Sequence, residues 1–215
     1  MSIVHTEHFN TFADRINPRL FNEYNSIRDI IGLLPMCTKD GPWIAGGLLR
    51  RFVIGKDDPK IFQQGDVDFF FKDNQQFLEF KSEMLRKCNA SLMREEEHVA
   101  EFQGRLFDGI PIKVQAVKLA FYNSPAELIN DFDYTPCMAA YDGTDIHYGQ
   151  WFLWDNARMR LAVNKIKYPV ASLRRLVKYT GQGYYACQGC IQEIAEKIHT
   201  MDPIDFRNRQ VTYVD

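Results

Sequence analysis

The stretch that most constrains this chain is Gly65-Asp66-Val67-Asp68-Phe69-Phe70-Phe71. Its aromatic-rich composition is that of a buried strand, with two carboxylates at the strand's beginning. Side chains alternate along a strand with period two, so Asp66 and Asp68 point to the same side and can grip one hard cation together. Carboxylate oxygens suit Mg²⁺ (or Mn²⁺), which bridges protein carboxylates to substrate phosphates, and paired ions steady attacking and leaving oxygens in phosphoryl-type displacement. An isolated Asp-x-Asp is usually a solvated or capping pair, so its surroundings decide.

Upstream, a short apolar run meets Gly46-Gly47 and resumes as a helical pattern with two arginines, WIAGGLLRRFVIG. Glycines before a helix let backbone N–H groups approach phosphates closely, and the helix N-terminus adds a favourable dipole. Residues 9 to 34 carry apolar side chains at three- and four-residue steps broken by Pro18, which predicts two short amphipathic helices. A helix is expected over 74 to 88, then two strands around Asp108-Gly109, a helix at SPAELIND, and a hairpin-like HYGQWFLW near which the sheet ends. The remainder has helical spacing. The expected organisation is an α+β domain over 1–154, a sheet flanked by helices, with a small C-terminal helical subdomain over 155–215.

A chain of 215 residues at 46% hydrophobic can bury one sizeable core. The 26 Lys and Arg against 28 Asp and Glu leave a formal charge of −2, so any contact with nucleic acid is local. The N-terminus lacks the basic start and apolar run of a signal peptide and no stretch reaches membrane-spanning length, predicting a soluble, cytoplasmic protein with no membrane partner. Five scattered cysteines fit reduced thiols. Cys187-x-x-Cys190 lacks a second pair to complete a zinc site, so helix packing is its better role. His5, His8, His98, His147 and His199 form no nucleophile–base pattern, His147 beside the Tyr141-Asp142-Gly143 turn being the hardest to set aside. Phe69-Phe70-Phe71 and Trp151-Phe152-Leu153-Trp154 are expected in the core rather than as a base-stacking platform. Arg94-Glu95-Glu96-Glu97 reads as a solvated face or loop, and Arg174, Arg175 and Lys178 as the basic cluster nearest the carboxylates.

In this order, GGLLRR and DVDFFF resemble the Gly-Gly-x-Val-Arg-Asp and Asp-x-Asp motifs of CCA-adding enzymes and bacterial poly(A) polymerases, members of the polymerase-β superfamily. Arg50 matches the motif's arginine, and Arg51 replaces its aspartate. DYTPCMAAYDG, residues 133 to 143, is similar to the Asp-Phe-Thr-Ile-Asn-Ala-Leu-Ala-Tyr-Asp segment of those enzymes, with Asp133 and Thr135 matching and Cys137 in place of asparagine. YPVASLRRLVKYTGQGY resembles the arginine-bearing helix that follows, with Arg175 and Lys178 at its Arg-x-x-Arg positions.

The resemblance implies a polymerase-β-like nucleotidyltransferase that moves an NMP from an NTP to an acceptor hydroxyl. Asp66 and Asp68 would bind the metal, with Asp133 beside them in catalysis. Gly46 and Gly47 would hold the triphosphate, and Arg50, Thr135, Arg174, Arg175 and Lys178 would surround the nucleotide. An RNA 3′ end, tRNA-like, is the first acceptor it suggests. CCA-adding enzymes use a longer helical tail for tRNA than residues 155–215 provide, so a protein or small-molecule acceptor stays open. The superfamily's third carboxylate is missing from IPIKVQAV, where Gln115 can offer an amide oxygen but cannot act as a base. Asp108 or Asp133 would compensate only if folding brings it close. The rivals are therefore a catalytically degenerate nucleotide-binding or protein-interaction module on the same fold, and a weaker one, an inhibitor that covers a partner's surface.

Overall fold

The computed structural model describes residues 3–16, 27–55, 65–106 and 109–202. Strand β1 (Val4–His8) leads into helix α1 (Phe9–Ile16) and then α2 (Ile27–Ile31), the two helices the apolar spacing predicts. The Pro18 break between them and Asp108 lie outside the described residues. Next come β2 (Trp43–Ala45), α3 (Gly47–Ile54), β3 (Val67–Phe70) and α4 (Asn74–Arg86). Three strands follow, β4 (Ser91–Glu95), β5 (Val99–Arg105) and β6 (Pro111–Val117), then α5 (Pro125–Asn130). A 3-10 turn at Thr135–Cys137 feeds the hairpin β7 (Ala139–Tyr141) and β8 (Asp145–Gly149). Helices α6 (Phe152–Ala157), α7 (Pro169–Gly181) and α8 (Gln188–His199) alternate with two-residue strands β9 (Arg160–Leu161) and β10 (Tyr185–Ala186), which pair with each other.

Eight strands form one sheet in the order β1-β8-β7-β2-β3-β6-β5-β4. The β3–β6 pair is parallel and the other ladders in this sheet are antiparallel. This is the expected α+β architecture. Period-two alternation sends Val67, Phe69 and Phe71 to one face with Ile44, Val114 and Ala116, under Phe52 of α3 and Phe77, Phe80 and Met84 of α4. Each such buried Phe contributes roughly 1.5–3 kcal/mol. The opposite face takes Trp43, Phe70 and Val117 with Leu128 and Ile129 of α5. Asp66 and Asp68 lie on that second face.

Local chemistry fixes the helix starts. The Asp73 carboxylate accepts the Gln76 N–H at 2.8 Å to open α4. Ser124 Oγ accepts the Glu127 N–H at 3.2 Å to open α5, while Glu127 Oε2 accepts the Asn123 N–H at 2.8 Å. Each cap is worth about 1 kcal/mol.

The Arg94-Glu95 part of the charged run is the solvated face expected, carried on strand β4, whose side chains are all exposed. The reading of the tryptophan segment needs correction. Trp151-Phe152-Leu153-Trp154 does not continue a hairpin but starts α6: Phe152 is buried while Trp151 and Trp154 are half exposed, so these two tryptophans are not core. Helix α6 includes positions 154 and 155. A third apolar cluster gathers Tyr134 and Cys137 with Leu161, Tyr179, Tyr184, Cys190 and Ile194. Cys190 thus packs as expected, while Cys187 is exposed, and both are free thiols.

Candidate active site

Gly46 caps α3 in a backbone conformation, φ 77°, that side-chain-bearing residues rarely adopt. Its N–H donates to Ala139 O at 3.0 Å, which pins the turn to β7. A Cβ on Gly47 would sit 3.1 Å from Arg51 Nη1 and 4.0 Å from Asp68 Oδ2, and one on Gly65 only 2.6 Å from Arg51 Nη1. The glycines therefore make room for the Arg51 head, whose Nη2 donates to the backbone oxygen of Asp66 at 2.7 Å. Burial lowers the Arg51 pKa, Asp68 opposes that shift, Arg50 adds to it and Asp66 opposes it.

Across the sheet, Asp68 faces Gln115 on β6, and Gln115 faces Glu101 on β5. Gln115 Nε2 donates to Asp66 Oδ2 at 2.9 Å and to Glu101 Oε1 at 3.3 Å. Lys113 Nζ lies 3.5 Å from Asp66 Oδ2 and 3.1 Å from Glu101 Oε1. Glu101 also receives Arg94 Nη2 at 2.9 Å. Burial pushes the Glu101 pKa up, but its bonds to Arg94 and Lys113 outweigh that and leave it below the usual carboxylate value.

Arg50 projects from α3 into a nearly closed position, 4% exposed. Its guanidinium carbon lies 4.9 Å from the ring centre of Tyr179 and 5.2 Å from that of Tyr184. Nη2 donates to Gln182 Oε1 at 2.8 Å, while Nε and Nη1 are buried with no hydrogen-bond partner. Aromatic faces supply a cation with about 2 kcal/mol when desolvated. Each buried N–H left open costs about 1–3 kcal/mol. On the same side of the cavity, Arg175 Nη1 donates to Asp133 Oδ2 at 2.7 Å.

These groups enclose a cavity of about 380 Å³. Of the residues expected at the site, Gly46, Gly47, Arg50, Asp66, Asp68, Asp133, Arg175 and Lys178 line it together. Thr135 and Arg174 are not among the lining residues: the Thr135 hydroxyl donates to Asp155, and Arg174 is exposed. The structure adds Arg51, Lys113, Lys165 and Lys167 to the lining. Seven basic side chains then face four carboxylates, Asp131 being the fourth, a balance that favours an anion. Lys165 and Lys167 lie just before the Tyr168–Tyr184 segment but outside it, and their approach to Asp131, at 2.5 and 3.0 Å, brings them here. His147 lies elsewhere, with Nε2 2.9 Å from Asp142 Oδ2 and Nδ1 3.0 Å from Thr6 Oγ1.

The donor set bears on a metal. Asp66 and Asp68 offer oxygens into the cavity, the chemistry Mg²⁺ requires when substrate phosphates complete its shell. Among the described residues no group of three His, Cys, Asp or Glu side chains could hold an ion unaided. The residues therefore fit a cation shared with a phosphate-bearing ligand.

Solved structures share this fold. The Thermotoga maritima CCA-adding enzyme complexed with tRNA superposes with a TM-score of 0.56 over 90% of this chain and 46% of its own, at 14% identity. A CCA-adding enzyme solved with CTP gives 0.57 over the same shares, at 13% identity. In sequence, "Gabija anti-defense 2" of Bacillus phage SPbetaL7 is 28% identical over 146 residues, 66% of this chain and 33% of the relative. The chain thus spans about a third of that curated relative and under half of the enzymes it superposes on. No described helix is long and apolar enough to cross a membrane. The model of the Gabija anti-defense 2 family matches residues 7–159, and with most of the chain inside that match, the chain belongs to this family on a nucleotidyltransferase-like fold.

Proposed function

We propose that this chain is a metal-dependent nucleotidyltransferase unit that moves an NMP from an NTP to an acceptor hydroxyl, releasing pyrophosphate, and that the transfer counters Gabija defence. The observation that carries this reading is Arg50: a buried guanidinium with two open N–H groups, lining a cavity that also holds Asp66 and Asp68. A guanidinium in that state calls for an anion, and a triphosphate supplies one next to paired carboxylates.

In this reading the Arg50 N–H groups take phosphate oxygens, and the backbone at Gly46-Gly47 faces the phosphates at the start of α3. Arg175 and Lys178 approach from α7, with Asp133 bracing Arg175. Asp66 and Asp68 would hold a divalent cation, which supplies charge neutralisation at the transferred phosphoryl group. The acceptor hydroxyl is an RNA 3′ end, on the precedent of the neighbour solved with tRNA, or a protein hydroxyl in the defence apparatus the family is named for.

A second reading has a specific observation behind it. The Asp66 carboxylate is already engaged by Gln115 and Lys113, as in a module that binds nucleotide without turning it over. One experiment separates the two. Purified chain is incubated with each α-labelled NTP, Mg²⁺ or Mn²⁺, and either total RNA or Gabija proteins, beside Asp66→Ala/Asp68→Ala. Label should pass to an acceptor and fall about 100-fold or more in the double variant. NTP binding with no transfer to any acceptor would establish the module instead.

A further inference from the structure

We propose that the site takes one divalent cation per bound nucleotide rather than a pair, with the Lys113 ammonium supplying beside Asp66 the positive charge that a second cation would bring. This deepens the nucleotidyltransferase reading and rests on it. Two-ion sites for in-line displacement at phosphorus need enough carboxylates to clamp both ions. Here Asp66 and Asp68 share a face, but the residue opposite Asp68 on parallel β6 is Gln115.

The orientation of that amide follows from its neighbours. Nε2 donates to Asp66 Oδ2 at 2.9 Å and Glu101 Oε1 at 3.3 Å, and turning the amide over would set its carbonyl oxygen against two carboxylate oxygens. Gln115 therefore presents N–H, not oxygen, to the Asp66 side chain. Lys113 stands two residues earlier on β6, hence on the same face. Its ammonium bridges the same two carboxylates, 3.5 Å from Asp66 Oδ2 and 3.1 Å from Glu101 Oε1.

The next carboxylate on this face lies one strand outward. Glu101 lies on β5, its side chain 12% exposed, and Arg94 and Lys113 both pair with it. A second divalent ion at Asp66 would meet an ammonium and an amide N–H₂ at close range, a repulsion that one well-placed lysine makes unnecessary to face. One resident positive charge takes the place of one exchangeable ion.

The test counts ions. The full chain is saturated with the non-cleavable α,β-methylene analogue of each NTP, Mn²⁺ is titrated in, and bound Mn²⁺ is read by electron paramagnetic resonance against bound analogue. One Mn²⁺ per analogue is expected. Two would overturn the single-ion assignment while leaving the nucleotide site in place. Lys113→Gln/Gln115→Asp, which removes the ammonium and places a carboxylate opposite Asp68, should raise the count to two. A count that stays at one in that variant overturns the role given to Lys113. Failure of every analogue to bind the wild-type chain overturns the nucleotidyltransferase reading, and this inference falls with it.

Discussion

Arg50 is the residue at which folding and ligand binding pull apart. Its charge is buried against two tyrosine rings, and two of its N–H groups have no acceptor. A side chain of that kind is kept for what it binds, since buried charge without a full set of partners destabilises the fold. Arg50→Met keeps most of the volume and removes both the charge and the open donors. The variant should unfold in urea at the wild-type concentration or higher, gaining up to roughly 2 kcal/mol. Its affinity for a non-cleavable NTP analogue should fall by about 1.5–3 kcal/mol, roughly tenfold to a hundredfold. Calorimetric titration beside the urea curve checks both, and a variant that loses stability while keeping affinity contradicts the assignment.

At the scale of elements, the β7–β8 hairpin carries a clasp that joins it to β1. Asp142 Oδ1 accepts the N–H groups of Thr144 and Asp145 at 3.0 and 2.7 Å, and Oδ2 meets His147 Nε2, whose other ring nitrogen reaches Thr6 on β1. Burial pushes the Asp142 pKa up, but the His147 bond and the two backbone N–H groups outweigh it and leave the pKa below the ordinary 3.8. A depressed carboxylate contributes stability that is fully present above 3.8, its unfolded value, and is lost as pH falls through the lower folded value. The stability gap between wild type and Asp142→Asn should therefore be largest at neutral pH and shrink below that window, as denaturant curves across pH would show. A gap that grows on acidification sinks this account. The elements also show what the sequence makes legible. Asp66, Asp68, Gly46 and Gly47 are readable because their chemistry is written in neighbouring positions. Lys113, and Glu101 behind it, are not, because they come to the Asp66 side only through the strand order β3-β6-β5, which no local pattern encodes. β4 lacks alternation, since none of its side chains is buried. Trp151 and Trp154 are exposed on one side of a short helix, and a four-residue aromatic run cannot separate period two from period 3.6.

For the molecule as a whole, the cavity joins parts distant in the chain. Asp66, Asp68 and Lys113 come from the sheet, and Arg175, Lys178 and Tyr179 from α7. The Arg50–Gln182 and Asp133–Arg175 hydrogen bonds already hold these parts together. A ligand filling the space adds its binding energy to that union. At a hundred times its dissociation constant, an NTP analogue with Mg²⁺ should add about 2.7 kcal/mol and raise Tm by roughly 5–10 °C in a chain of this size. Thermal scans of wild type and Asp66→Ala/Asp68→Ala settle it, and equal shifts in both would place the ligand elsewhere. The far margin of the sheet has a different bearing. β4 ends the sheet with its register shifted between Leu92 and Arg94, and Arg94 and Glu95 stand on it with their charges already paired. A kinked and charged margin of this kind is a poor template for another chain's backbone, so on this side the protein resists both fibril growth and capture by a stray extended peptide.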